Sequence, residues 1–118
     1  MNDELMNDEL KNRKCKPCEG GVDPLTPAQS ETLLRALHAV LQLSDDGREI
    51  SRCYRFPTYP RTVAFANAAA WIAITEDHHP VLTVNYNDCT VAYTTHAING
   101  LSDNDFICAA KTDALLTD

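Results

Sequence analysis

Two runs of β-forming residues, Val81–Tyr86 and Cys89–Thr95, flank Asn87-Asp88, and no other stretch constrains the fold as strongly. Both runs are rich in Val, Thr and Tyr, so the Asn-Asp link predicts an antiparallel hairpin with a two-residue turn. A second hairpin is expected upstream. Leu41–Leu43 and Ile50–Phe56 flank Asp45-Asp46-Gly47, Asp-Gly marks a tight turn, and Pro57 ends the strand. Helical patterns fill the intervals. Thr26-Pro27-Ala28-Gln29 supplies an N-cap, a first-turn proline and a capping-box glutamine. Leu33, Leu34, Leu37, Val40 and Leu41 follow at helical spacing, so this helix is expected to end near Val40. Arg61 to Thr75 is Ala-rich and apolar on most sides, as befits a helix buried against a sheet with surface left over for a partner subunit. Gly100-Leu101-Ser102 leads into a last helix with Ser102 as its cap and Asp105 in the capping-box position. The order α-β-β-α-β-β-α predicts an α+β domain, a four-stranded antiparallel sheet with helices packed on one face.

At 118 residues the chain fits one domain, and 44% hydrophobic with 23% charged residues is ordinary globular composition. The net charge of -7 argues against direct nucleic-acid binding, which needs a basic surface. The longest nearly apolar stretch, Val63 to Ile74, is interrupted by Asn67 and is too short to span a bilayer. The acidic start lacks a secretory core, and five cysteines is an odd number, which together read as a cytoplasmic protein with reduced thiols. Met1–Leu5 repeats directly as Met6–Leu10, and residues 1–25 hold few apolar side chains. They are expected to be a flexible arm preceding a domain at 26–118. Cys15-Lys16-Pro17-Cys18 is a lone C-x-x-C and reads as a surface thiol pair, while Cys53, Cys89 and Cys108 read as small core or sheet residues.

Reactive chemistry concentrates in one region. Three of the four histidines, His78, His79 and His96, fall between Glu76 and Asp105. Histidine alone has an unperturbed pKa, roughly 6.5, suited to proton transfer near neutrality. With the turn at Asn87-Asp88, Tyr86 faces Cys89, Val84 faces Val91, Leu82 faces Tyr93, and His79 falls opposite His96, with His78 beside it. The competing readings are a set of exposed loop histidines and a three-histidine zinc site, although adjacent histidines seldom reach one ion. Asp105 has two readings as well: a capping-box acid, or a carboxylate that orients His96.

In order and spacing, these features resemble the pterin-4a-carbinolamine dehydratase family. The carriers are His78-His79-Pro80, Tyr86, Thr95-His96 and Gly100-Leu101-Ser102 leading to Asp105, with Ile50–Phe56 and the Phe65 helix upstream, over about residues 26–116. The resemblance implies dehydration of 4a-hydroxytetrahydropterin to quinonoid dihydropterin, the step that recycles the pterin of aromatic amino-acid hydroxylation. It implies that His78, His79 and His96 line the pterin pocket with Asp105 as the acid near the last helix, no metal or organic cofactor, and an oligomer, expected to be a homodimer or homotetramer. The chemistry of the reaction then gives His78 and His96 the catalytic proton transfers and His79 and Asp105 the binding of substrate. Many members carry a glutamate four residues before the first histidine, where this chain has Ile74. The alternatives are a non-catalytic dimerisation or transcriptional cofactor, since mammalian relatives also act as dimerisation cofactors for a transcription factor, and an accessory protein acting on another pterin such as molybdopterin.

Overall fold

A computed structural model describes residues 10–16, 22–37 and 41–116. Helix α1 (Pro27–Leu34) starts at the expected capping box: Gln29 N–H donates to Thr26 Oγ1 at 3.2 Å, and Thr26 N–H donates to the Gln29 side chain at 2.9 Å. It is shorter than its apolar spacing predicts. At Ala36 and Leu37 the backbone tightens into bonds to Leu33 and Leu34, three residues back, and Val40 lies outside the described residues.

Strands β1 (Gln42–Leu43) and β2 (Ile50–Arg55) pair antiparallel around a turn in which Gly47 takes a left-handed φ of 71° and donates to Ser44. Helix α2 (Tyr59–Glu76) begins two residues earlier than expected, with Thr58 as N-cap and Pro60 in its first turn. It buries Phe65, Ala66, Ala69 and Ala73 and turns Trp71 and Ile74 outward. Strands β3 (Val81–Val84) and β4 (Asp88–Tyr93) follow, then a 3-10 turn at His96–Ile98 and helix α3 (Asp103–Ala114).

The sheet order is β1-β2-β4-β3, antiparallel throughout. Ile50, Tyr54, Cys89, Val91 and Tyr93 point to one face and are buried with Phe65 of α2 and Phe106, Ile107 and Ala110 of α3. Cys53 is a sheet residue of β2 that points to the opposite face and is exposed, whereas Cys89 and Cys108 are buried. Among the described residues no helix is long and apolar enough to cross a membrane.

Two expectations need correction. The second hairpin pairs Val84 with Cys89 and Leu82 with Val91, two residues away from the expected register. Asn85 and Asp88 close the hairpin through backbone and side chain at 2.8 Å each, which puts Tyr86 and Asn87 at the turn. His79 is therefore not paired across from His96. The shift is even, so every side chain keeps its face.

The second correction concerns the arm. Residues 10–16 are docked on the domain. Leu10 is only 3% exposed and joins the core, while Lys111 Nζ donates to Lys11 O at 2.9 Å. Cys15 is not a surface thiol: its N–H donates to Glu76 Oε1 at 2.8 Å and its sulfur lies 3.4 Å from Cys108 Sγ. Cys18 lies outside the described residues. Further on, Leu25 N–H donates to Leu101 O, and Pro24 packs so closely on Gly100 that a Cβ there would lie 2.6 Å from the proline ring. Only glycine fits that crossing.

Candidate active site

Helix α2 delivers the first histidine through its ending. Asp77 is left-handed (φ 52°, ψ 42°), so Asp77 N–H returns to Ile74 O and His78 N–H to Ala73 O, a Schellman-type pattern. The chain reverses over the end of the helix, and His78 is thrown inward beneath β4. The second non-glycine residue with positive φ among the described residues is Asn99 at 53°, which ends the 3-10 turn that begins with His96. Both left-handed residues border the histidine segments, as backbone strain often does at functional sites.

His78 Nε2 lies 2.6 Å from Asp105 Oδ1. The ring is 12% exposed and the carboxylate fully buried. Asp105 also accepts from Thr95 Oγ1 at 2.7 Å and from Ser102 N–H at 2.9 Å, so both its oxygens are engaged. The Thr95 hydroxyl gives its proton to Asp105, so the 2.7 Å contact with Ser102 Oγ runs from serine to threonine. Asp105 is thus both the capping-box acid of α3 and the partner of His78. The expected alternative, a contact with His96, is not what its oxygens make.

The His78 ring lies parallel to Tyr93, with centroids 6.3 Å apart and an interplanar angle of 8°. Tyr93 reaches Thr112 Oγ1 at 2.7 Å, and burial pushes its phenol well above the ordinary tyrosine range. Behind His78, contact with Cys15 and burial push the Cys108 thiol far up, so it packs as a neutral group.

His78, His79 and His96 all line one cavity of about 270 Å³, with Asp77, Thr94, Lys16 and Asn104. The hairpin register does not bring them together; the end of α2 and the 3-10 turn do. His79 and His96 are exposed on the rim. A neighbouring hollow of about 390 Å³ shares Thr94 and His96 and is otherwise lined by the β1–β2 turn and Asn99. A larger hollow of about 520 Å³, between Lys11, α2 and α3, holds no histidine. Ile74, at the position where a glutamate is usual, is 71% exposed and points away from the histidines; Glu76 turns inward to hold Cys15. Among the described residues no group of three His, Cys, Asp or Glu side chains is placed to hold a metal ion.

The sequence model of the family described as Pterin 4 alpha carbinolamine dehydratase matches residues 23–115. The chain belongs to that family. A Nitrosomonas eutropha protein named for the same activity is 57% identical over 108 residues, 92% of this chain and 94% of the relative. A Legionella pneumophila protein so named is 47% identical over 113 residues, 96% of this chain and all of that one. The likeness to the first leaves at most about ten residues of this chain unmatched, so it takes in part of residues 1–25. Among solved structures, a Brucella melitensis protein described as a transcriptional coactivator/pterin dehydratase superposes with a TM-score of 0.75 at 32% identity, covering 80% of this chain and all of that one. A pterin dehydratase-like RuBisCO assembly factor of the alpha-carboxysome has a TM-score of 0.57 at 19% identity, covering 66% of this chain and 90% of that one, and shares the fold.

Of the residues that shape this site, sequence reading missed Lys16 and Asn104 as members, and Thr95 as the link between β4 and Asp105. Thr95 carried a signal, since it directly precedes His96. Lys16 and Asn104 carried none: their pairing spans 88 residues and follows no period.

Proposed function

We propose that this protein dehydrates 4a-hydroxytetrahydropterin to quinonoid dihydropterin by histidine acid–base catalysis, serving the recycling of a pterin cofactor. The observation that carries the reading is the buried His78–Asp105 pair on a cavity it shares with His79 and His96. Breaking the bond between C4a and its hydroxyl needs a proton on the departing oxygen, which leaves as water, and loss of a proton from the ring system. A carboxylate on Nε2 keeps the proton on that nitrogen and leaves Nδ1 to exchange protons with a ligand. On this reading His78 is the base, His96 protonates the oxygen, and His79 holds the pterin. Asp105, fully buried, acts as a positioning residue for His78 and not as a direct substrate contact.

The test is the rate of 4a-hydroxytetrahydropterin dehydration with purified protein. A rate no faster than the uncatalysed reaction would overturn the proposal.

The outer face of α2 supports a homo-oligomer. Trp71 is 67% exposed and Ile74 71%, one helical turn apart, and apolar side chains of that size seldom stay together in water. Light scattering at micromolar concentration should give a dimer or larger; a monomer would remove this part. A partner-protein role, of the kind in the Brucella melitensis protein's description, would use that face and not the histidines. His78→Ala would leave partner binding intact while strongly slowing dehydration.

A further inference from the structure

We propose that Lys16, anchored through Cys15 and Asn104, forms a wall of the site and is a substrate-contacting residue, its ammonium donating to the carbonyl oxygen of the pterin's pyrimidinone ring. The proposal rests on reading the histidine cavity as a pterin site.

Three attachments hold this segment in place. Asn104, nearly buried at 8% exposure, spends its side-chain amide on one backbone residue: Lys16 N–H donates to its Oδ1 at 3.0 Å, and its Nδ2 donates to Lys16 O at 2.6 Å. Glu76 accepts the Cys15 N–H at 2.8 Å, and the Cys15 sulfur sits on Cys108 and on Asn104 O. A buried amide matched bond for bond to a backbone fixes the position of that residue while leaving its side chain unspent. The side chain so presented is Lys16, on the cavity that holds His78, His79 and His96.

The charge pattern says what Lys16 meets. Among the described residues lining this cavity it is the one lysine or arginine, in a protein of net charge -7. The one acid on the lining with an exposed side chain is Asp77. A pyrimidinone edge carries an acceptor carbonyl beside a donor N–H and amino group. An ammonium and a carboxylate on one cavity complement that edge, and the ammonium can serve only its acceptor. This contact exists in substrate and transition state alike, so it governs affinity more than turnover.

The experiment uses the full chain as wild type, Lys16→Met and Lys16→Arg. Lys16→Met should raise KM about tenfold, the scale of a charge-assisted hydrogen bond, with kcat within about twofold. Lys16→Arg should recover most of the loss. The melting temperature of Lys16→Met should match wild type, since the anchoring bonds are made by the backbone. An unchanged KM, or a loss confined to kcat, would overturn the proposal. Equilibrium binding of 7,8-dihydropterin, which cannot lose water, separates it from the activity. Wild-type binding that weakens about tenfold in Lys16→Met would sustain the wall even in a protein with no turnover. No binding by wild type would sink both readings.

Discussion

His78 and His96 share a cavity but are held in opposite ways. His78 is walled in by Asp105, stacked beside Tyr93, and placed by the left-handed end of a long helix. His96 opens a three-residue 3-10 turn and lies exposed on the rim, next to a buried threonine bonded to the same aspartate. The orientation of His78 is set when the protein folds, whereas no hydrogen bond from the described residues fixes the His96 ring. A ring oriented in advance loses little freedom when substrate arrives.

That contrast can be broken by substitution. His78→Ala should cause the largest effect, a fall in kcat of ~10²–10⁴-fold with a modest change in KM. His96→Ala should also lower kcat, by less, and the double variant should lose less than the two single losses combined, since the two residues act together in one dehydration event. Steady-state kinetics decide it, and near-wild-type kcat in both single variants would end the acid–base assignment. Asp105→Asn should lower kcat by less than loss of the His78 ring. It should also cost about 1–3 kcal/mol of stability, because a buried acceptor of three bonds is replaced by a group that presents a donor. Intact kcat in that variant would show that His78 needs no positioning. His79→Ala should raise KM more than it lowers kcat.

The smallest effect is a pH dependence set by the walls of His78. Burial raises the Tyr93 phenol in the folded state, so the neutral form is favoured there and the unfolded chain ionises first. The associated stability is therefore complete below about pH 10, the unfolded tyrosine value, and is lost as pH rises beyond it. Melting temperatures measured across that range should fall for wild type and fall less steeply for Tyr93→Phe. An identical slope in the two would remove Tyr93 as the source.

The sheet and helices were legible because they are periodic. The alternation in β2 and β4, the apolar faces of α2 and α3 and the two N-cap boxes are local signals. The hairpin turn was misplaced because Asn85, Asn87 and Asp88 offer turn chemistry in two frames, and the Asn85–Asp88 bonds of backbone and side chain mark the frame adopted. Parity survived the slip, so the buried faces were still right. The capping role of Asp105 was visible from Ser102 three residues before it. Its pairing with His78 was not, because it depends on the reversal at Asp77 and spans 27 residues. The arm was misread for a related reason: apart from Leu10, the Cys15 sulfur and the Arg13–Asp103 pair, its attachments are backbone groups meeting Glu76, Asn104 and Lys111. Such bonds leave no hydropathy pattern.

The long reach of those attachments also bears on the order of events during synthesis. Lys16 waits for Asn104, and Lys11 for Lys111, partners 88 and 100 positions further along the chain. A segment translated before the rest of the domain is thus among the last to find its place, and His78 meets Asp105 only after all four strands have been translated. Until then Leu10 has no core to enter, and a nascent chain arrested before α3 would carry all three histidines without a working arrangement of them.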